Sequence, residues 1–571
     1  MAADNNMLSS DIRGGVGAGL AAAFVPVYLG AVGILAMMNQ RMVVAGLATL
    51  SQLILVLAVG IAGAYAQRKR QDGSRPSLLS SLVAGAVAGV VIVTFAHLIL
   101  SVNLRSIFIA LTPPLARILT FDQAGSVAGS LLVVAGAAAV GLAGGLLQRA
   151  PARMRQLLLP AAVATLVAGL FQEFIQIILQ SNAVFRAVGP WLYGWEGLKP
   201  LGAAIIFFVT VGITLLVAAF GRTRAGAAGA DAASTRSRHA VGMAVLLAAL
   251  LLIPVLGGPF IAQIFLLIGL YLLMGMGLNL ELGLAGLLDL GFVAFFATGA
   301  YATALLTADS PLALANYTPI PSLSFWLAMP IAILVSVAVG VLFGLPVLGV
   351  RGDYLAVATL GLGEIVRIIV LSDAAAPVLG GAQGILQVPK PRIGSYELGS
   401  AVPLFYLTLL AAAFAAYCAW RLERSRLGRA WIALREDEDV AQAMGVNLVQ
   451  SKLFAYAFGA AFAGMAGSIF AVMVSSVFPS SFQLLMSINV LALIIVGGLG
   501  SLPGIALGAV VLIGLPEALR EFGEFRYLFY GLALILTMRL MPDGLWPRAG
   551  LRRPALAPSG RTAKAATAGQ A

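Results

Sequence analysis

Long, uninterrupted apolar runs are the feature that most restricts this chain. They recur at approximately 17–38, 43–66, 79–101, 127–147, 157–180, 202–220, 241–256, 260–280, 284–306, 325–347, 355–372, 403–420, 453–475, 486–498, 502–516 and 527–541, about 16 segments in all. Most are close to the ~20 residues that a helix needs to cross a hydrocarbon layer. A bilayer offers no partner to backbone N–H and C=O groups, so each span must satisfy its own, and a helix does so. A transmembrane β-barrel needs alternating polarity over short segments, which these runs lack. Residues of the set AVILMFWYC make up 60% of the 571 positions and DEKR only 10%. That leaves too little charge to coat a soluble surface and too much apolar content for a disordered chain. The expected fold class is an all-α polytopic membrane protein.

The net charge of +12 and the pI near 10.1 do not signal nucleic acid, because the basic residues sit between the apolar runs. With the N-terminus in the cytoplasm, about 24 Lys and Arg residues fall in loops and tails on that side, and about nine on the other. The minority are Arg41, Arg105, Arg117, Arg186, Lys199, Lys390, Arg392, Arg520 and Arg526, while Arg367 and Arg539 lie within spans. This bias predicts that both termini are cytoplasmic. The first 15 residues lack the basic start and cleavage site of a removable signal peptide. The runs at 486–498 and 502–516 are short and broken by Gly497, Gly498, Gly500, Pro503 and Gly504, so they read as one broken span, two crossings or a re-entrant hairpin. Cys418 reads as a buried small hydrophobe. His97 and His239 lack metal-ligand spacing.

The small, polar, basic stretch 221–240 has linker composition and divides the chain. The predicted organisation is a hydrophobic extension of about six spans over 1–235, a main membrane domain over 236–547 and a disordered basic tail over 548–571. Enzyme signatures are missing. No Gly-Lys-Ser or Gly-Lys-Thr occurs, so no phosphate-cradling loop is encoded, and neither HExxH nor a serine–histidine–carboxylate set is present.

Three polar features interrupt the apolar pattern. The first is the segment 421–452, in which Trp431–Met444 can form a helix with an incomplete apolar stripe of Trp431, Ile432, Leu434 and Val440. The acids Glu436 to Asp439 follow Arg435, and Gly445 fits a helix stop. It reads either as a solvated loop or as a peg for a cytoplasmic partner. The second is a set of intramembrane or near-membrane charges: Asp289, Arg351, Asp353, Glu364 and Arg367. Glu364 and Arg367, three residues apart, share a helix face. Such groups either neutralise one another or line a translocation path. Glu173, in the extension, reads as a helix–helix contact. The third is Gly380-Gly381-Ala382-Gln383-Gly384, which turn chemistry explains.

The stretches at 275–306, 350–370, 427–471, 487–504 and 526–547 together resemble the LivM-type permease subunit of branched-chain amino-acid ABC importers. The resemblance implies an ABC importer permease fold in the C-terminal part and a place in a bacterial inner membrane. It also implies a second permease subunit, two ABC ATPase subunits and a periplasmic amino-acid-binding protein as partners, besides membrane lipid. No cofactor is expected on this chain itself, ATP being hydrolysed by the partner subunits. The resemblance makes Arg435, Glu436, Asp439, Ala441 and Gly445 a coupling loop that docks on an ATPase, with Asp439-Val440-Ala441 and Gly445 a partial match to the family's Glu-Ala-Ala motif. The function implied is passage of leucine, isoleucine or valine. The alternatives are an ABC permease for urea or short amides, an ion-driven secondary transporter, or a membrane scaffold. Residues 1–235 match no part of the family pattern.

Overall fold

Apolar runs that satisfy their own backbone must become helices, and a computed structural model of the chain is built almost wholly from them. It describes residues 2–68, 77–106, 108–123, 125–181, 186–195, 197–225, 248, 250–308, 322–347, 349–350, 352–523 and 525–548. They fall into two compact units, Met1–Met243 and Ala244–Ala571. Among the described residues nine helices are long and apolar enough to cross a membrane, fewer than the 16 segments expected. Several expected spans are shorter or interrupted. The run 17–38 is broken after Ala31, with a short helix over Ile34–Met38, the run 43–66 begins as a two-stranded turn, and 284–306 is helical only from Val293.

The first unit contains α1 (Ala2–Ala31), α2 (Leu50–Ala66), α3 (Leu78–Ser101), α4 (Val127–Arg149), α5 (Ala152–Leu170), α6 (Gln172–Ser181) and α7 (Pro200–Ala225). Helix α6 is bent by 79° from α5. Thr49 and Gln52 close a reciprocal capping box at the start of α2. Glycines let the helices meet backbone to backbone: Gly63 faces Gly141, Gly60 faces Gly144, and Gly85 faces Ala137. A buried polar knot joins α2, α3 and α4. Gln67 Nε2 donates to Ser81 Oγ at 2.9 Å, and Arg149 Nε donates to Gln67 Oε1 at 2.8 Å. Glu173 on α6 pairs with Arg41 at 3.7 Å. Residues 221–225, expected in a linker, continue helix α7, and the rest of 221–240, with His239, lies outside the described residues. The tail from 549 onward also lies outside them.

The second unit contains α8 (Gly258–Leu278), α9 (Val293–Thr307), α10 (Phe325–Val347), α11 (Asp353–Leu371), α12 (Ala401–Glu423), α13 (Arg426–Glu436), α14 (Glu438–Ala443), α15 (Leu448–Val474), α16 (Leu484–Gly497), α17 (Leu502–Ala509) and α18 (Phe525–Leu540). Helix α15 is the central post, packed against α8, α9 and α10. Its glycines set the spacing: Gly459 receives Glu281, Gly464 meets Gly299 and Ser336, and Gly467 meets the Phe296 carbonyl. The 486–516 region is an antiparallel helical hairpin, since Gly497 packs on Gly504 and Leu493 on Gly508 around a turn at 498–501. Cys418, expected to be buried, is half-exposed on α12.

The loop 372–400 lies at the end of the unit where α12 begins. Gly380, Gly381 and Gly384 all have positive φ, as the turn requires. Strand Ile385–Leu386 pairs with Ser476–Val477, and Lys390 Nζ donates to the last carbonyls of α15, Val472 at 2.6 Å and Met473 at 2.8 Å. Burial draws the Lys390 ammonium below the usual lysine range, opposed by Glu397.

A Cβ at Gly467 would meet the Phe296 carbonyl, whereas one at Gly361 meets nothing within 4 Å. Gly467→Leu is expected to cost about 1–3 kcal/mol or more through overpacking. Gly361→Ala should hold or slightly raise stability. Apparent melting temperature of the detergent-purified chain checks the pair.

Candidate coupling and translocation site

At the end of the second unit where α12 stops, the chain forms two short helices instead of the single one expected over Trp431–Met444. Asp437 causes the break. Its backbone is extended, at φ −158° and ψ 118°. Its Oδ1 accepts from the N–H groups of Asp439 at 3.0 Å and Val440 at 2.9 Å, so it caps α14 rather than continuing α13. Ser425 caps α13, with Oγ accepting from Gly428 N–H at 3.3 Å. Gly445 stops α14 at φ +87°.

Trp431 anchors this pair of helices. It is fully buried, its Nε1 donates to the Ser451 carbonyl at 2.8 Å, and its ring lies edge-on to Phe458. Leu434 and Ala441 are also buried. Lys452, near the start of α15, pairs with Glu438. Val440 and Met444 remain outside this packing, 58% and 81% exposed. Of the expected coupling residues, Ala441 therefore packs inward, Gly445 forms the stop, and Glu436 and Asp439 lie on the helix pair.

Arg435 points elsewhere. Its Nη1 donates to the Gly283 carbonyl at 2.6 Å, and its side chain packs over Gly286. Both belong to the break after α8. There the helix widens into a π-type turn over Asn279–Leu284, and 285–292 lead to α9 without regular helix. The freed backbone groups find specific partners. Leu290 N–H donates to Thr359 Oγ1 on α11 at 3.0 Å, Gly291 N–H to Asp289 Oδ1 at 2.7 Å, and Val293 N–H to Ser487 Oγ on α16 at 3.0 Å. Asn279 Oδ1 accepts from Gly500 N–H in the hairpin turn at 2.9 Å. Beside that turn, Arg548 pairs with Glu423 at 2.7 Å.

Asp289, expected on a path, is thus buried at the break and caps backbone. Glu364 and Arg367 do pair, with Nε–Oε1 at 2.8 Å, on the exposed face of α11. Arg367 also borders a cleft between α9, α11 and the 479–482 turn, of about 10 Å³. Arg351 lies outside the described residues, and Asp353 is described only as the first residue of α11. The expected path residues therefore split into the buried Asp289 and a half-exposed pair on α11.

Sequence reasoning missed Glu281, Asn279, Thr359 and Ser487. Asn279 ended one apolar run, and Glu281 fell between runs assigned as 260–280 and 284–306, where an acid looks like ordinary loop. The sequence signal was available: a single polar pair, Asn279 and Glu281, without the Pro or basic residues that mark a true loop.

A family model described as the permease component of branched-chain amino acid transport systems matches residues 260–538, within the second unit. The high-affinity branched-chain amino acid transport system permease protein LivM of Salmonella typhimurium is 40% identical over 300 residues, 48% of this chain and 68% of that protein. LivM of Escherichia coli is 39% identical over 300 residues, with the same shares. The LivH permease protein of the high-affinity system in Escherichia coli is 30% identical over 127 residues, 22% of this chain and 41% of LivH. No solved structure matches.

Asp437→Ala should remove the α14 cap at a cost of about 1 kcal/mol, whereas Asp437→Asn should keep it. Faster amide exchange over 438–444 in the alanine variant alone is the expected reading.

Proposed function

The chain belongs to the family of permease components of branched-chain amino acid transport systems, and on that premise we propose that its second unit forms one wall of a path for leucine, isoleucine and valine. The observation that carries the reading is the Glu364–Arg367 pair. Glu364 lies about 17 Å along an apolar helix of span length, at 1.5 Å per residue. Its side chain is 43% exposed and that of Arg367 36%. Charges at that depth are costly against lipid, so the face of α11 that carries them belongs against a polar lumen or a neighbouring subunit. Val357, Ile365 and Ile368, exposed on the same helix, supply apolar surface beside the pair. A zwitterion with a branched aliphatic side chain suits such a wall: the charges meet the pair and the side chain loses little on leaving water.

The likeness to both LivM and LivH supports a second permease as the partner across the path. The helix pair α13–α14 supports a separate ATPase as the driver. It offers the exposed Val440 and Met444 outward while Trp431 and Arg435 tie it to α15 and the α8 break. In this reading the pair is cytoplasmic, the loop 372–400 faces a periplasmic binding protein, and the membrane is a bacterial inner membrane. ATP binding on the partner moves α13–α14, and Arg435 carries that motion to the broken helix. The chain itself supplies no phosphate-binding loop, so hydrolysis falls to the partner.

Two variants separate path from coupling in proteoliposomes holding the complete transporter. Glu364→Ala is expected to lower uptake by about tenfold, the effect of roughly 1.4 kcal/mol, with ATP hydrolysis retained. Met444→Glu is expected to lower uptake and hydrolysis together by weakening the docking face. Unchanged uptake in Glu364→Ala would remove the pair from the path.

A further inference from the structure

The cleft that Arg367 borders holds a second polar side chain. Tyr301 on α9 also lines it. Tyr301 is 5% exposed, and its Oη has no hydrogen-bond partner among the described residues. Its ring packs against Phe482, with centroids 5.8 Å apart. A phenylalanine at 301 would keep that packing and avoid the cost of a buried hydroxyl left without a partner. Native structures seldom retain such a group, so this one calls for a use.

The other walls are apolar. Ala297 on α9, Val366 and Val370 on α11 and Phe482 in the 479–482 turn face the same space. An apolar cleft with a few convergent polar groups has the make-up of a small-molecule site. The walls nearly meet, leaving about 10 Å³, room for about one water. Arg367 Nε and Nη2 both donate to Glu364 Oε1. A guanidinium carries five donors, so Arg367 can hold Glu364 and still receive a second carboxylate. One wall is tied to the coupling helices. Thr359 on α11, four residues before Gly363 at the cleft, accepts from Leu290 N–H of the α8 break, and Arg435 grips the same break at the Gly283 carbonyl.

We propose that this cleft is the closed form of a seat for the transported amino acid. The carboxylate of the amino acid accepts from Tyr301 Oη and from the Arg367 guanidinium. Its branched side chain lies among Ala297, Val366, Val370 and Phe482. Withdrawal of α11 from α9 opens the seat, and its return closes it, so the amino acid is held only in part of the cycle. Tyr301 then finds in the substrate the partner that the closed cleft denies it. The inference rests on the function proposed above and adds to it the residues that select the cargo.

The test uses the complete transporter in proteoliposomes, with leucine and valine as probes. Tyr301→Phe is expected to lower leucine uptake about tenfold, through loss of a hydrogen bond to a charged group. The melting temperature of the purified variant chain should hold or rise, because the unpartnered hydroxyl is gone. Val366→Phe should lower the leucine-to-valine uptake ratio by narrowing the seat, and Val366→Ala should raise it. If Val366→Phe does not fold, Val366→Ala carries the selectivity measurement. Unchanged leucine uptake in Tyr301→Phe would overturn the proposal and leave the hydroxyl with a water at most. Lower uptake accompanied by a lower melting temperature would overturn it too, since the hydroxyl would then serve the fold. So would an unaltered ratio in the folded Val366 variants. Glu364→Ala separates the cleft from the function itself. Uptake lost there but kept in Tyr301→Phe removes the cleft alone, whereas a wild-type transporter that carries no leucine removes the function on which it rests.

Discussion

A backbone that leaves helical geometry inside an apolar unit must have every freed N–H and C=O met by protein, and the segment 279–293 is organised around that requirement. Asp289 of the segment itself satisfies one of its backbone groups, and Thr359, Ser487 and Arg435, from three other parts of the second unit, each satisfy another. Each partner costs little by itself. Together they draw α11, α13 and α16 to one break in one helix. An unbroken α8 would have needed none of them, and the helices of the unit would have had fewer reasons to converge there.

The same requirement explains why the break is a point of mechanical contact. A continuous helix resists a lateral push over its length, whereas a turn held by side chains from neighbouring elements moves with those neighbours. Arg435 holds the turn through a carbonyl, and Trp431, four residues earlier on α13, is locked to Ser451 at the foot of α15. In the proposed coupling, motion of α13 would reach two places at once: the base of the central post and the broken end of α8. Asp437 sharpens this division by ending α13 and starting α14, which separates the surface offered outward from the surface that grips inward.

Glycine does the complementary work. Where α15 crosses its neighbours, Gly459, Gly464 and Gly467 remove side chains so that backbone or a carboxyl group can approach. These positions look ordinary in the sequence, because membrane helices are rich in glycine throughout. Their roles differ once the partners are known: Gly464 and Gly467 allow backbone-to-backbone packing, whereas Gly459 makes room for an acid.

Chemistry that acts along the chain was legible from the residues themselves. The apolar runs dictated helices in a membrane, Glu364 and Arg367 at a spacing of three dictated an ion pair, and Gly380, Gly381 and Gly384 dictated a turn. The motifs of 260–547 carried the family. Chemistry that acts between distant segments was not legible. Leu290 meets Thr359 across 69 positions. Arg435 meets Gly283 across 152 positions. Hydrophobicity fixes which segments leave water, since that is a property of each residue and its near neighbours. Which polar groups then face one another is decided by packing, because an acid or arginine in an apolar unit takes whatever partner the assembled helices bring within reach.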